Sequence, residues 1–389
     1  MLCRSCGAAT TPVLSLGEMP LANHLLSHPM HPCARYPLDL EFCPECKLGQ
    51  LAEIVQPPLM FTDYPYYSSV SAPTVTAAND LALDVCSQLG TGKLDKESLV
   101  VEVGSNDGYL LSAYKNYGIP VLGIDPASGP ANAAALKGIP TVQDFFGLSL
   151  AKRMPKADVI HAHNVLAHVP DLNDFVAGIA EMLKPDGMVV VEAPYLGDLV
   201  DKCAFDTIYA EHDYYFSVTA AMQLFLRHGM LMNSAKRIPA HGGSLRLCFS
   251  KKLVTGMTWP KESFDFSEMA GRMKSIACGL QDFLVYAHSR HKRVWGFGAA
   301  AKATVMLNYC GIDTTLIESI ADGTPAKIGK YIPGTGIRIA HPQDWLEAQP
   351  DYTCIFAWNY ANEICHRYAK DYRGIMFTPY ITPSVEVSA

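Results

Sequence analysis

No stretch of this 389-residue chain approaches the ~18 consecutive apolar residues of a membrane-spanning helix, and the opening MLCRSCGAAT carries neither the basic nor the apolar region of a secretory leader. A cytoplasmic protein that does not engage membranes is the expectation. An excess of positive charge is also missing. With 31 Lys and Arg against 38 Asp and Glu, the chain carries a net charge of −7 and a pI near 6.0. It lacks the electrostatic footprint of a nucleic-acid binder, so small molecules or proteins are the expected partners. Charged residues are sparse at 18%, and apolar residues make up 49%, which excludes both a disordered chain and a coiled coil. The length predicts two or three domains, each with its own core.

Cysteine is not scarce. In a reducing compartment, twelve cysteines do not form a disulfide framework. Eight stand singly, Cys86, Cys248 and Cys354 among them, and read as buried thiols. The other four form two C-x-x-C hooks, Cys3 and Cys6 in CRSC and Cys43 and Cys46 in CPEC. Two such hooks supply four thiolates for one tetrahedral ion with no position open to water, the pattern of a structural zinc. The alternatives are a redox dithiol or two unrelated pairs. A redox motif belongs in a βαβ unit, which neither hook occupies. Next comes TDYPYYSSVSAP, Thr62 to Pro73, too rich in Tyr, Ser and Pro for a regular helix. It reads either as a loop lining a polar pocket, with Tyr64, Tyr66, Tyr67 and Ser68, or as an interdomain connector.

After an amphipathic helical stretch from Val75 to Leu89, SLVVEVGSNDGYLLSAYKNYGIPVLGIDPA reads as strand, glycine turn, helix and a second strand ending on Asp125. Gly104 and Gly108 are four apart, so the turn does not complete the dinucleotide pattern G-x-G-x-x-G. It resembles instead the cofactor turn of class I S-adenosylmethionine (SAM) methyltransferases. That resemblance implies cofactor contacts by Glu102, Gly104, Asn106, Asp107, Gly108, Asp125 and Pro126, with Glu102 and Asp107 facing the methionine portion and Asp125 the ribose. Further on, VQDFF would set Asp144 and Phe145 by the adenine, and ADVIHAHNVLAHVPD reads as a fourth strand running into a loop with Asn164 and His168. MLKPDGMVVVEAP then supplies a helix end, a turn and a fifth strand. The last third repeats the plan in RVWGFGAAAKATVMLNYCGIDTTLIESIADGTPAK, with Gly296, Gly298 and Asp322 echoing Gly104, Gly108 and Asp125. Ala299, Ala300 and Ala301 open a helix whose N–H groups and dipole favour an anion, and Lys302 adds charge. A purely structural unit is the other reading.

Between these units, TIYAEHDYYFS concentrates Tyr209, Glu211, His212, Tyr214 and Tyr215. His212 suits a general base near neutral pH, with Glu211 or a phenol orienting it. AHGGSLRL adds His241, Ser244 and Arg246.

The four-cysteine N-terminus, YPYYSS, EVGSNDG, HNVLAHVPD, Y-x-E-H, HGGSLR, GFGAAAKA and KIGKYIPG, in that order, resemble the sugar C-methyltransferases that make branched-chain deoxysugars on nucleotide carriers. The likeness spans essentially the whole chain. It implies an α/β architecture: a zinc-binding domain over 1–68, a SAM-binding class I methyltransferase domain over 69–250, and a Rossmann-like domain over 251–389 that helps hold the nucleotide sugar. It implies His212 as the base, with Tyr66, His168, Tyr209 and Glu211 lining the sugar, and His241, Ser244, Arg246, Ala299, Lys302 and Asp322 on the substrate side. The implied substrate is a keto-deoxysugar on dTDP or another nucleoside diphosphate. The chain departs from the family in two places: Asp213 stands where an apolar residue often follows the base, and a polar DGTPAK follows the last acid. The competing functions are oxygen or nitrogen methylation of a nucleotide sugar, NAD-linked sugar oxidation, and a non-enzymatic zinc scaffold.

Overall fold

A computed structural model describes residues 1–56, 60, 67–70, 72–90, 93–239, 242–252 and 261–380. Tyr66, His241 and most of the Tyr-rich linker lie outside the described residues.

The N-terminal segment builds an antiparallel sheet from β1 (Thr11–Pro20), β2 (Arg35–Phe42) and β3 (Gly49–Leu51). The cysteine hooks lie in the turns before β1 and between β2 and β3. The inward faces of β1 and β2, Leu14, Leu16, Leu38 and Leu40, share a core with Met306, Ile320 and Ile339 of the C-terminal third. This module is therefore packed against its neighbours.

The middle sheet has seven strands in the order β10-β11-β8-β7-β4-β5-β6. In chain order they are β4 (Val100–Val103), β5 (Val121–Ile124), β6 (Thr141–Val142), β7 (Ala157–His163), β8 (Leu183–Pro194), β10 (Leu231–Ile238) and β11 (Ser244–Ser250). Strands β4 to β8 pair parallel, while β11 lies antiparallel between β8 and β10. Every residue of β4 is buried, as expected for a parallel strand covered by helices on both faces. The helix before β4 spans Ala72–Leu89, starting three residues ahead of the expected Val75. The short strand β9 (Tyr214–Tyr215) leaves the middle domain and completes the N-terminal sheet beside β3.

A 24-residue helix, Phe266–Ser289, capped by Asp265 accepting from the Glu268 N–H at 2.9 Å, leads to a five-stranded parallel sheet. Its order is β14 (Arg338–Ala340), β13 (Ser319–Ala321), β12 (Val294–Phe297), β15 (Tyr352–Ile355) and β16 (Ile375–Phe377). The repeated strand, turn and helix plan is present, with one correction. Gly296 lies inside β12, where an added Cβ would come within 2.9 Å of Ile320 and Phe356, and Gly298, at φ +88°, makes the turn. Gly298 therefore matches Gly104, and Gly296 is a close-packing residue in the sheet.

Candidate active site

One cavity of about 740 Å³ opens at the carboxyl ends of β4, β5 and β7 and runs to the start of the C-terminal helix Ala301–Tyr309. Its position follows from topology, since the loops beyond the strand ends of an open parallel sheet leave a crevice there.

At one end, Gly104 follows β4 with φ +71°, and its missing Cβ leaves room for Val165, whose Cβ would be 3.1 Å from it. Asp125 follows β5. Its Oδ2 accepts from the Asn106 N–H at 2.7 Å and its Oδ1 from the Ala127 N–H at 2.9 Å. Burial pushes the Asp125 carboxyl up, and the two amides oppose that shift. Asn106, Pro126, Asp144, Phe145 and Asn164 also line this end. Other residues expected here are not among the cavity's lining residues. Gly108, at φ +72°, starts the helix Tyr109–Asn116 and packs under Ile139. Asp107 is bonded to the Ser69 hydroxyl and, at 2.9 Å, to Lys137. Glu102 is fully buried in β4. Neither of its carboxylate oxygens has a hydrogen-bond partner among the described residues. Burial, then the nearby charges of Asp125, Asp107 and Glu192, push it well above the usual range. Glu102 therefore belongs to the strand interior and is not one of the groups that line this end of the cavity.

In the centre, the turn between Thr207 and β9 brings Tyr209, Glu211 and His212 to the cavity, where His168 joins them from the loop after β7. The Thr207 carbonyl accepts from His212 Nδ1 at 3.3 Å, which leaves Nε2 as the basic nitrogen, and the Tyr209 hydroxyl lies 2.9 Å from it. The His168 and His212 rings are 4.9 Å apart. His168 Nδ1 donates to the Glu211 carbonyl, so proton exchange by His168 belongs to Nε2. Asn23, from the turn after β1, donates to the Glu211 carboxylate.

At the far end, Lys302 in the first turn of Ala301–Tyr309 donates to Asn359 at 2.9 Å and lies 4.2 Å over the Trp358 ring. Burial lowers its pKa to about 8. Lys327 lines the cavity too, donating to the Ala299 carbonyl at 2.9 Å. Ser244 lines it at the start of β11. Three residues expected on the substrate side have other roles. Ala299 is buried behind the turn. Asp322 accepts from the Thr324 N–H at 2.8 Å and sits 3.5 Å from Lys327. Arg246 stands directly opposite Glu192 in the β11–β8 ladder and bonds it at 2.6 Å. Glu192 in turn meets His163, with burial raising its pKa and the two basic partners together outweighing that, to about 2.

The sequence reading missed Asn23, Lys327 and Asn359. Asn23 lies in a turn and Asn359 in the short 3₁₀ helix Trp358–Tyr360, with no local pattern to mark either, whereas Lys327 joins DGTPAK to KIGKYIPG and those two segments were the signal that could have found it.

The four cysteine sulfurs lie within 4.8 Å of one another, with Cys3 to Cys46 at 3.5 Å and Cys6 to Cys43 at 3.6 Å. Such a set closes on one tetrahedral ion. These thiolates hold a structural zinc.

Three family models match the chain: "Putative zinc binding domain" over 3–61, "Methyltransferase domain" over 78–231 and "C-methyltransferase C-terminal domain" over 239–379. The C-methyltransferase NovU of Streptomyces niveus is 31% identical over 384 residues, covering 93% of this chain and 90% of NovU. A ubiquinone biosynthesis O-methyltransferase of Yersinia enterocolitica is 30% identical over 149 residues, covering 33% of this chain and 61% of that protein. Among solved structures, the magnesium protoporphyrin IX methyltransferase of Synechocystis PCC 6803 with bound SAM aligns over 46% of this chain and 79% of its own, with 14% identity and a TM-score of 0.36. The end-to-end match to NovU, with the three domain models in order, places this chain in the family of SAM-dependent C-methyltransferases to which NovU belongs.

Proposed function

We propose that the protein methylates a carbon next to the ketone of a deoxysugar carried on a nucleoside diphosphate, such as dTDP, with His212 as the base. The observation that carries this reading is the continuity of the cavity. The Asp125 end, the Tyr209, Glu211 and His212 turn, and the two lysines at the C-terminal helix open onto one space. Two cations beside a helix N-terminus suit a diphosphate, and the imidazole opens onto the same space.

Carbon is a poor nucleophile until it is deprotonated, so the substrate needs a ketone whose adjacent C–H is acidic. His212 Nε2 takes that proton, with the Tyr209 hydroxyl on the same nitrogen able to hold or pass it. The electron pair of the C–H bond forms the enolate, whose oxygen needs donors to stabilise it. Bound SAM supplies the electrophilic methyl group. Asp125 and the backbone at Gly104 would hold it at the cofactor end, and His168, with its Nδ1 proton fixed, would orient the sugar.

The test uses SAM labelled with carbon-13 in its methyl group and a 4-keto nucleotide sugar in heavy water. The label is expected on a sugar carbon. Deuterium is expected at that same carbon when an unreactive SAM analogue replaces the cofactor. Replacing His212 with an inert residue should cost ~10²–10⁴-fold in turnover with SAM binding preserved. A label on oxygen or nitrogen overturns this reading.

A further inference from the structure

Glu211 is held by the N-terminal and middle parts of the chain, and the C-terminal helix braces its N-terminal partner. Asn23, in the turn after β1, donates to Glu211 Oε1 twice, from its backbone N–H at 3.2 Å and from its side-chain Nδ2 at 3.1 Å. The preceding carbonyl, Ala22 O, is fixed at 2.9 Å by the Thr304 hydroxyl of the C-terminal helix. The Glu211 carbonyl is fixed by His168 of the middle domain. Glu211 is 4% exposed and lines the cavity, yet its Oε2 has no hydrogen-bond partner among the described residues.

These contacts are chemically asymmetric. Both groups that Asn23 presents are donors, so Oε1 can only accept. A proton on this carboxyl belongs on the other oxygen. An ionised carboxylate would leave Oε2 buried and unsatisfied, which is costly, whereas a carboxylic acid leaves a donor there for a ligand to use. Burial pushes Glu211 above the usual carboxylate range, with its own backbone amide, the Asn23 amide and side chain and the Ala22 amide opposing it. Asp213, two residues on, supplies no compensating positive charge.

We propose that Asn23 is a positioning residue that presets Glu211 as a neutral acid, so that its Oε2–H donates to the ketone oxygen of the substrate as that oxygen becomes an enolate. This rests on the carbon-methylation reading above. As His212 takes the proton from carbon, the C–H pair moves into the new C=C bond and the C=O π pair moves to oxygen. The Oε2–H group bonds to that oxygen without surrendering its proton. When the carbon takes the methyl group, the S–CH3 bond would break with its electron pair passing to sulfur, leaving S-adenosylhomocysteine, while the C=O bond re-forms and the hydrogen bond weakens. Glu211 thereby stabilises charge only while the charge exists, which is what lowers a barrier.

Infrared difference spectroscopy of the full-length protein, wild type minus Glu211→Gln and without substrate, tests the protonation directly. The carbonyl stretch of a protonated carboxyl is expected at neutral pH, and Asp213 cancels in the difference because both proteins keep it. In Asn23→Ala the same band should shift. Kinetics supply the second measurement. Removing a donor to a developing oxyanion costs ~10²–10³-fold in kcat, so Glu211→Ala should fall by that factor. Glu211→Gln, whose amide keeps an acceptor toward Asn23 and a donor on the other side, should recover at least about tenfold of the loss. Asn23→Asp, which replaces the donating amide with an acceptor, should lower kcat with the KM for SAM unchanged. Absence of the carboxylic band, or a Gln variant as slow as the Ala variant, overturns the role of Glu211. A methyl label on oxygen would instead overturn the carbon reading, whatever the infrared band shows.

Discussion

Asp213→Asn should stabilise the protein increasingly as pH rises, because Asp213 is a buried acid whose carboxyl has no hydrogen-bond partner among the described residues. The residue is 0% exposed. Its backbone N–H donates to Ala167 O at 2.7 Å and its carbonyl accepts from Leu51 N–H at 2.9 Å, so the chain cannot turn the side chain outward without breaking both bonds. Neither carboxylate oxygen has a hydrogen-bond partner among the described residues. Burial raises its pKa from 3.8 to about 8, with Arg4 opposing that shift and Glu211 adding to it. The sign follows from linkage. A folded-state pKa above the unfolded one means that the neutral acid's contribution is complete below the unfolded value. It is lost progressively as pH climbs through the folded value. Each tenfold change in proton affinity is worth about 1.4 kcal/mol, so the full shift would cost about 5–6 kcal/mol above pH 8. Water entry and relaxation around the ionised group reduce this to about 2–4 kcal/mol. Asparagine has nearly the same shape and stays neutral throughout. Urea unfolding of both proteins, compared at each pH from about 5 to 9, should therefore give a stability difference that grows up to about pH 8 and then levels off. Zinc binding and other titrations are common to the two proteins and cancel. A difference that stays flat across that range would refute the buried-acid argument.

Three further outcomes follow from the same geometry. Cys46→Ser should abolish the stoichiometric zinc and speed hydrogen exchange at Gly49–Leu51 and Tyr214–Tyr215, since β3 and β9 pair directly beyond the second hook; unchanged exchange after metal loss would separate the knuckle from the catalytic turn. Asp125→Ala removes an acceptor of two backbone bonds and of the expected ribose bonds, each charge-assisted bond worth ~1.5–3 kcal/mol. SAM affinity measured by calorimetry should fall at least about tenfold, and an unchanged value would relocate the cofactor. Lys302→Ala should weaken binding of a nucleoside diphosphate. In the wild type that affinity should decline as pH rises through about 8, where the ammonium loses its proton. A pH dependence that persists in the variant would assign the anion to other groups.

The fold was legible because its signals are local. EVGSNDG, the acid after β5 and the apolar runs VLGI of β5 and MVVV of β8 each occupy a few adjacent residues, and parallel strands covered on both faces announce themselves as largely hydrophobic stretches. Glycine was the less certain guide. In GFG the two glycines look alike, yet one relieves crowding inside a strand and the other takes a positive φ. The site divides in the same way. Tyr209, Glu211 and His212 fall within one segment and could be read together. Arg246 looked available from sequence, but the β11–β8 register sets it opposite Glu192, and register is not written in either strand alone. Asn23 sits in PLANHLL, where nothing distinguishes a turn asparagine from one that holds an acid 188 residues away.

That long-range contact bears on how the catalytic turn achieves any rigidity. Between the 3₁₀ turn at Phe205–Thr207 and the two residues of β9 there is no regular structure, so the orientation of His212 cannot come from a helix or a ladder. It comes from contacts at intervals along the turn. The Tyr215 hydroxyl donates to Thr207 O at 3.2 Å, Asn23 holds the Glu211 carboxyl, and Ala167 and Leu51 hold the Asp213 backbone. Asn23 and Leu51 belong to the N-terminal module, whose hooks fix the approach to β3, and Ala22 is bonded to the C-terminal helix that carries Lys302. Misplacing a reacting group by about 1 Å can cost ~10²-fold. A base on an irregular turn therefore needs anchors outside its own domain, and the zinc module supplies two of them. Metal removal should consequently lower kcat before it weakens SAM binding, because the proposed SAM contacts, Gly104 and Asp125, directly follow strands β4 and β5 of the middle sheet and are set by that sheet.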